Sequence, residues 1–452
     1  ERHILTTHSG KNQAAGKPEP PQSGDPRQPT PPKGATKFGL LKTLGPGLVT
    51  GASDDDPSGI ATYSQVGAQY GFGMLWTMLF SYPLMTAIQE ISGQIGRVTG
   101  HGIAGNLRRY YHPVWLYSIV LLVLAANIIN LGADIGAMGA AVNLLVGGPS
   151  LLYAAVFAVA SVLLETFLPY DKYARVLKWL CLALFAYVAT VFVVKVPWGL
   201  ALKATITPTL PLEAGYITSI VAVLGTTISP YLFFWQAEEE VEIERANPKE
   251  HPLKTSPKDA PAQLHRIRVD TYTGMAFSNL VAFFIIVTAA ATLHARGIFD
   301  IQTSTQAAMA LKPIAGRFAF LLFALGIIGT GLLALPVLAG SAAYAVGEAL
   351  HWKVGLNRSP KRAKPFYGVI AVATLLGLSM NILHVNPIKA LFWSAVINGV
   401  VAVPIMVLMM LMAQNERVMG QFTLNMRQKF FGWLATAVMS AAAVALFATW
   451  GK

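Results

Sequence analysis

The strongest constraint on this chain is the recurrence of apolar stretches near 44–69, 73–96, 114–145, 151–168, 175–196, 214–237, 270–293, 316–346, 365–384, 388–412 and 430–450. A helix needs about 20 such residues to cross a bilayer core, so each stretch reads as a transmembrane span. The hydrophobic share of 54% against a charged share of 12% leaves too little polar sequence for a soluble domain of this size. The chain is therefore expected to be an all-α integral membrane protein with about eleven transmembrane helices. The formal charge of +12 does not point to nucleic acid. Its basic residues cluster in short connections such as Arg97 to Arg109 and Lys353 to Lys364, a topological pattern.

Those basic clusters follow even-numbered spans, which predicts a cytoplasmic amino terminus and, with an odd span count, an extracellular carboxyl terminus in the cell membrane. The connection from Arg296 to Arg317 is the exception, since it should be external yet is basic. Residues 1–36 are rich in Pro, Gly, Ser, Gln and Lys and read as a disordered cytoplasmic tail, with no leader pattern expected to be cleaved. The single cysteine, Cys181, excludes a disulfide framework and a cysteine metal site.

Two spans are broken. In the first, Asp54-Asp55-Asp56-Pro57-Ser58-Gly59 sets three carboxylates and a proline inside apolar sequence; in the sixth, Gly225-Thr226-Thr227-Ile228-Ser229-Pro230-Tyr231 sets hydroxyls before a proline. Each proline removes an amide donor and clashes with the preceding turn, so both helices should unwind locally. Paired broken helices point to a secondary transporter built from inverted repeats with its cargo near the midplane. The expected organisation is the tail at 1–36, a first repeat over 37–200 (helices 1–5), a second over 201–413 (helices 6–10) and an additional helix 11 over 414–452.

At the first break the carbonyl end of a half-helix and three acids create a field suited to a cation. Asp56, beside the proline, is the expected ligand, with Asp54 and Asp55 lining the approach or protonated and Asp55 also a candidate ligand. At the second break Thr226, Thr227 and Ser229 offer hard hydroxyl oxygens, with no Met or Cys to favour a soft ion. These hydroxyls could instead bond back to their own helix and bend it.

At these residues the chain resembles the Nramp family of divalent-metal transporters, over essentially everything from Gly45 onward. Asp56-Pro57-Ser58-Gly59 with Ala61-Thr62 is similar to the family's first-helix Asp-Pro-Gly-Asn followed by Ala-Thr. Thr226-Thr227-Ile228-Ser229-Pro230-Tyr231 is similar to the sixth-helix Ala-Thr-x-Met-Pro-His. The resemblance implies a LeuT-type fold with a 5+5 inverted repeat, and a metal site at Asp56, Gly59, Thr226 and Ser229. Family residues are replaced: asparagine by Gly59, the alanine carbonyl donor by Thr226, methionine by Ser229 and histidine by Tyr231. The third-helix aspartate matches Asp134, while two family glutamates fall on Asn127 and Ala137. That combination resembles the Nramp-related magnesium transporters, implying a roomier, all-oxygen site for a partly hydrated ion and a loss of proton-relay groups.

Asp134 could face the ion path or bond to Asn130, and Asn398 could contribute a polar group to the site. Gln65, Gln69, Gln89, Glu90 and Gln94 suit either a vestibule or interhelical hydrogen bonds. Gly132, Gly136 and Ala140 form a packing ridge. Glu238, Glu239, Glu240, Glu242 and Glu244 read as a solvated helical extension, with an acidic exit vestibule as the alternative. No histidine lies mid-span and no nucleophile–base pair is present, so neither an enzyme nor a resident cofactor is expected.

The leading expectation is a monomeric carrier for Mg2+ and Mn2+ working by alternating access without proton coupling. The alternative is a proton-coupled Mn2+/Fe2+ symporter; an amino-acid transporter and a cation channel rank below it. The divalent ion and the lipid bilayer are the only partners implied.

Overall fold

The computed structural model describes residues 50, 51, 53–168, 181–356, 358–383 and 385–450. The tail at 1–36, the opening of the first span and the connection carrying Lys172, Arg175 and Lys178 lie outside the described residues. Every regular element among the described residues is helical, as the apolar spans require.

The helical residues 50, 51, 53 and 54 lead into the first break. There follow α1 (Pro57–Tyr70), α2 (Trp76–Thr99), α3 (Ile103–Tyr110), α4 (Pro113–Val146), α5 (Ser150–Phe167), α6 (Phe185–Val193) and α7 (Trp198–Ile206). After these come α8 (Ala214–Thr227), α9 (Pro230–Ala246), α10 (Ala260–Thr292), α11 (Ala319–Ala349), α12 (Lys364–Met380), α13 (Pro387–Ala413) and α14 (Met426–Thr449). Among the described residues, eight helical stretches are long and apolar enough to cross a membrane. The broken first span, polar-faced α2 and α6 stand at the other three expected places. The fifth span is described only from 181 onward.

Local sequence chemistry sets the helix starts. Asn386 accepts the amides of Ile388 and Lys389 ahead of α13, and Asn425 forms a reciprocal capping box with Gln428 at the start of α14. Packing is layered around the broken helices: α1 lies against α10 and α13, α8 against α13, α9 against α2, and α4 against α11. In the Ala214–Ala246 stretch 89% of the most apolar window is buried, against 22% in α5, so the sixth span is central and α5 peripheral. The exposed Leu152, Val156, Val159 and Leu163 of α5 form a lipid-facing stripe.

Close backbone approach fixes α8 on α13. A Cβ at Gly399 would stand 2.6 Å from the Val221 carbonyl oxygen, so only glycine allows this contact. The Gly132/Gly136 ridge packs against Gly377 and Asn381 on the α12 side, as its small residues suggest. The basic 296–317 connection forms short helical turns and ties to the end of α1, where Gln65 donates to the Phe299 carbonyl and accepts from the Ile301 amide. Two helices were not anticipated. Both α3 and α7 are too short for a periodic signal to stand out.

Candidate functional site

The first helix breaks at Asp55 and Asp56. Asp56 is extended (φ −67°, ψ 172°) and caps α1, with Pro57 at the first helical position, where a missing N–H costs nothing. Its Oδ1 accepts the Gly59 amide at 2.7 Å and the Ser58 hydroxyl at 2.6 Å. Its Oδ2 has two longer contacts, from the Asn130 amide and the Tyr231 hydroxyl, both at 3.3 Å. One oxygen thus holds the helix start, and the other faces α4 and α9 with weakly engaged donors.

The sixth span breaks at Ile228 and Ser229, both non-helical, with Pro230 opening α9. The Ser229 hydroxyl turns back to the Gly225 and Thr226 carbonyls at 2.8 Å each. Thr227 does the same toward Val223 at 3.0 Å. The Ser229 hydroxyl thereby satisfies the Gly225 and Thr226 carbonyls that the break strands, while Thr227 bonds back within the helix. The hydroxyl lone pairs are not consumed by donating.

The two breaks meet. A Cβ at Gly59 would lie 3.2 Å from Thr226 Oγ1, 3.3 Å from the Asp54 carbonyl oxygen and 3.4 Å from the Tyr63 ring. The neighbours of Gly59 therefore stand close around it, so any added side-chain atom would enter the junction of the two breaks. Tyr231 reaches from α9 to Asp56 and to the Ser53 carbonyl at 3.3 Å, joining both breaks.

Asp54 and Asp55 turn elsewhere. Ser278 on α10 donates to Asp54 Oδ2 and lies 3.3 Å from Asp55 Oδ1. Neither acid shares a hydrogen-bond partner with Asp56, and no group of three or more His, Cys, Asp or Glu forms a metal cluster among the described residues. Asp134 is fully buried on α4, and neither of its oxygens has a partner among the described residues. Asn130, one turn earlier, serves Asp56 instead of Asp134. Asn398 is buried on α13 with both side-chain polar atoms unpartnered among the described residues. Asn127 ties α4 to α11 through the Leu338 carbonyl at 2.9 Å and Ser341 at 2.8 Å.

Four carboxylates, Asp54, Asp55, Asp56 and Asp134, are therefore buried together in this region with no Lys, Arg or His ion-pair partner among the described residues. Burying an ion without a counter-charge costs several kcal/mol, so a positive charge brought from outside would be stabilised in this region. Ser58, Tyr63, Asn130 and Ser278 complete it. The sequence singled out none of these as a site residue. Ser58 could have been found as the residue after Pro57 in a cap, and Asn130 as one helical turn before Asp134. Ser278 carries no local signal.

The acidic stretch of α9 is not solvated. Glu238, Glu240, Glu242 and Glu244 are all buried. Glu240 pairs with Arg266, and Glu242 accepts from Tyr344 and from the Leu356 amide at 2.9 Å. At the end of α11, Glu348 accepts the Gly102 and Gly105 amides at 2.9 and 2.7 Å, an anionic cap on α3. The helical period carries these acids toward α2, α10 and α11 because partners wait there, which charge counting along one helix misses. Gln89, Glu90 and Gln94 likewise make interhelical bonds, to the Leu232 carbonyl, Arg268 and the Phe422 carbonyl.

A family model for natural resistance-associated macrophage protein-like (Nramp) sequences matches residues 47–449. The chain belongs to the Nramp family. Among its Nramp relatives, the divalent metal cation transporter MntH of Klebsiella pneumoniae subsp. pneumoniae is 27% identical over 411 residues, covering 88% of this chain and 92% of that protein. The MntH of Verminephrobacter eiseniae is 26% identical, covering 78% and 81%. In structure, a mutant of the Eremococcus coleocola manganese transporter aligns with a TM-score of 0.69 at 15% identity, covering 92% of this chain and 88% of that one. MhsT, solved with L-phenylalanine, aligns at 0.62 and 13% identity, covering 90% and 98%. The fold of this Nramp chain is thus the LeuT-type helical bundle with broken helices 1 and 6, a multi-pass membrane architecture.

Proposed function

We propose that this Nramp chain is a carrier of divalent cations that moves Mg2+ and Mn2+ by alternating access, without coupled protons. The observation that carries this reading is the set of four buried carboxylates with no basic ion-pair partner among the described residues, beside two unwound helices. Asp56 is the anchor, through its Oδ2. Thr226 and Ser229 supply hydroxyl oxygens, Gly59 keeps side-chain atoms out of the gap, and Tyr231, Asp134 and Asn398 line it. Asp54 and Asp55, held by Ser278, raise the local negative potential. The divalent metal named for the relatives supports the substrate class.

Magnesium is favoured by the donor chemistry. The side-chain oxygens around Asp56 are the Ser58 and Tyr231 hydroxyls and Asn130 Oδ1, with no sulfur among them, and Mg2+ prefers oxygen donors while keeping part of its water. Absence of coupling follows from Asn127 and Ala137, neutral groups at the positions matched to family glutamates. The membrane potential alone gives a doubly charged ion about 4.6 kcal/mol per 100 mV. The second reading, proton-coupled transition-metal symport, rests on the manganese named for the Eremococcus transporter. The distribution of basic residues supports a cytoplasmic amino terminus, an extracellular carboxyl terminus and a cell-membrane location. The repeats at 37–200 and 201–413, helix 11 over 414–452 and a monomeric unit belong to the same reading. Flux into proteoliposomes holding a pH dye tests it. Mg2+ and Mn2+ should enter without acidification; metal entry with acidification would establish the symport reading instead.

A further inference from the structure

The amino-terminal parts of α10 and α14 and the second half of α2 enclose a cavity of about 200 Å3 lined by Glu90, Arg268, Tyr272, Arg427, Gln428 and Phe431. Its donors outnumber its acceptors. Arg268 gives Nε to Glu90 Oε1 at 2.9 Å, and Gln428 donates to the same oxygen at 3.2 Å, leaving the terminal nitrogens of Arg268 without a hydrogen-bond partner among the described residues. Arg427 has no carboxylate within ion-pair distance among the described residues. It is held instead by Tyr272, with Cζ 5.9 Å from the ring centroid and Nη2 3.4 Å from the hydroxyl. A guanidinium steadied by an aromatic face and one long hydroxyl contact keeps most of its fork free for a planar or tetrahedral oxyanion.

The surroundings select which oxyanion. Val269 on α10 and Phe430 and Leu434 on α14, neighbours in sequence of the lining residues, are exposed and form an apolar border where the seventh and eleventh spans begin. The basic residues of this end of α10 and α14 belong to the side that the positive-inside pattern assigns to the cytoplasm. We propose that this cavity is a docking site for the phosphate headgroup of an anionic phospholipid, gripped by Arg268 and Arg427 with its acyl chains along the α10–α14 surface. Free phosphate would use the same arginines but gain nothing from the apolar border.

Native mass spectrometry of the full chain in detergent, titrated with phosphatidylglycerol, phosphatidylcholine of matched acyl chains or inorganic phosphate, tests the site. Phosphatidylglycerol should be retained in preference to phosphatidylcholine, and inorganic phosphate at equal concentration should not displace it. Arg427→Gln should weaken phosphatidylglycerol binding about fivefold while phosphatidylcholine binding stays constant, from roughly one basic contact at a membrane surface. Arg427→Lys should restore part of the loss. Equal retention of the two lipids by the unaltered chain, displacement by inorganic phosphate, or an unchanged Arg427→Gln titration would each overturn the proposal. The comparison of the two lipids needs no variant and stands even if a substitution impairs folding.

Discussion

Gly59→Ala is the substitution that separates the geometry of the ion site from the stability of the fold. The added Cβ would meet Thr226 Oγ1 at 3.2 Å, the Asp54 carbonyl oxygen at 3.3 Å and the Tyr63 ring at 3.4 Å, so the neighbours must move by a few tenths of an ångström. Such overpacking costs about 1 kcal/mol at the mild end of its range. Gly59 has no positive φ and sits in the first turn of α1, so alanine returns about 1 kcal/mol of helix propensity. The melting temperature should therefore stay nearly unchanged. The ion gap should not. A methyl group takes up the space of one water, about 30 Å3, and an ion that keeps its water is hurt more than one that sheds it. Uptake of Mg2+ by proteoliposomes should lose about tenfold in apparent affinity relative to Mn2+, equivalent to about 1.4 kcal/mol. A folded Gly59→Ala protein with an unchanged Mg2+/Mn2+ ratio would refute the idea that Gly59 makes room for a partly hydrated ion.

Other substitutions probe other parts of the fold. Asp56→Asn keeps an acceptor for the Gly59 amide, so thermal stability should hold while transport of both ions is lost; retained flux would remove Asp56 from the site. Glu348→Ala strips the acceptor from the Gly102 and Gly105 amides, and should lower stability by about 2 kcal/mol in a thermal melt without changing ion preference. His101 is held down to about 4 by burial and by Arg109, Arg245 and Arg108. Its unfolded form binds a proton below about 6.5 while the folded form does not, so stability falls as pH drops from there toward 4. In His101→Gln the melting temperature should decline less steeply across that window, and identical slopes would show that His101 does not contribute.

Much of the architecture was legible because lipid imposes a strict rule. A chain that must satisfy its backbone inside a bilayer has little choice but helices of a set length, and the apolar runs display them. The two breaks were equally legible, since Pro57 and Pro230 each stand beside residues that offer the backbone another hydrogen bond. Contacts between distant segments were not. Ser278 lies more than two hundred residues from Asp54, and no local pattern marks it as the hydroxyl that gathers Asp54 and Asp55. The glutamates of α9 looked solvated because their partners, Arg266 and Tyr344, sit on other helices. The neighbours of Gly59, namely Thr226 Oγ1, the Asp54 carbonyl and the Tyr63 ring, and the reach of Tyr231 to Asp56 carry no signal in the residue types at 59 and 229 either.

The most direct measurement is anomalous X-ray scattering from crystals soaked in Mn2+, repeated with a large excess of Mg2+. A single peak should appear within coordination distance of Asp56 Oδ2, between the two breaks, and it should fade as Mg2+ replaces Mn2+. A peak held by other residues, or one that Mg2+ leaves undiminished, would contradict an oxygen-lined site that carries both ions.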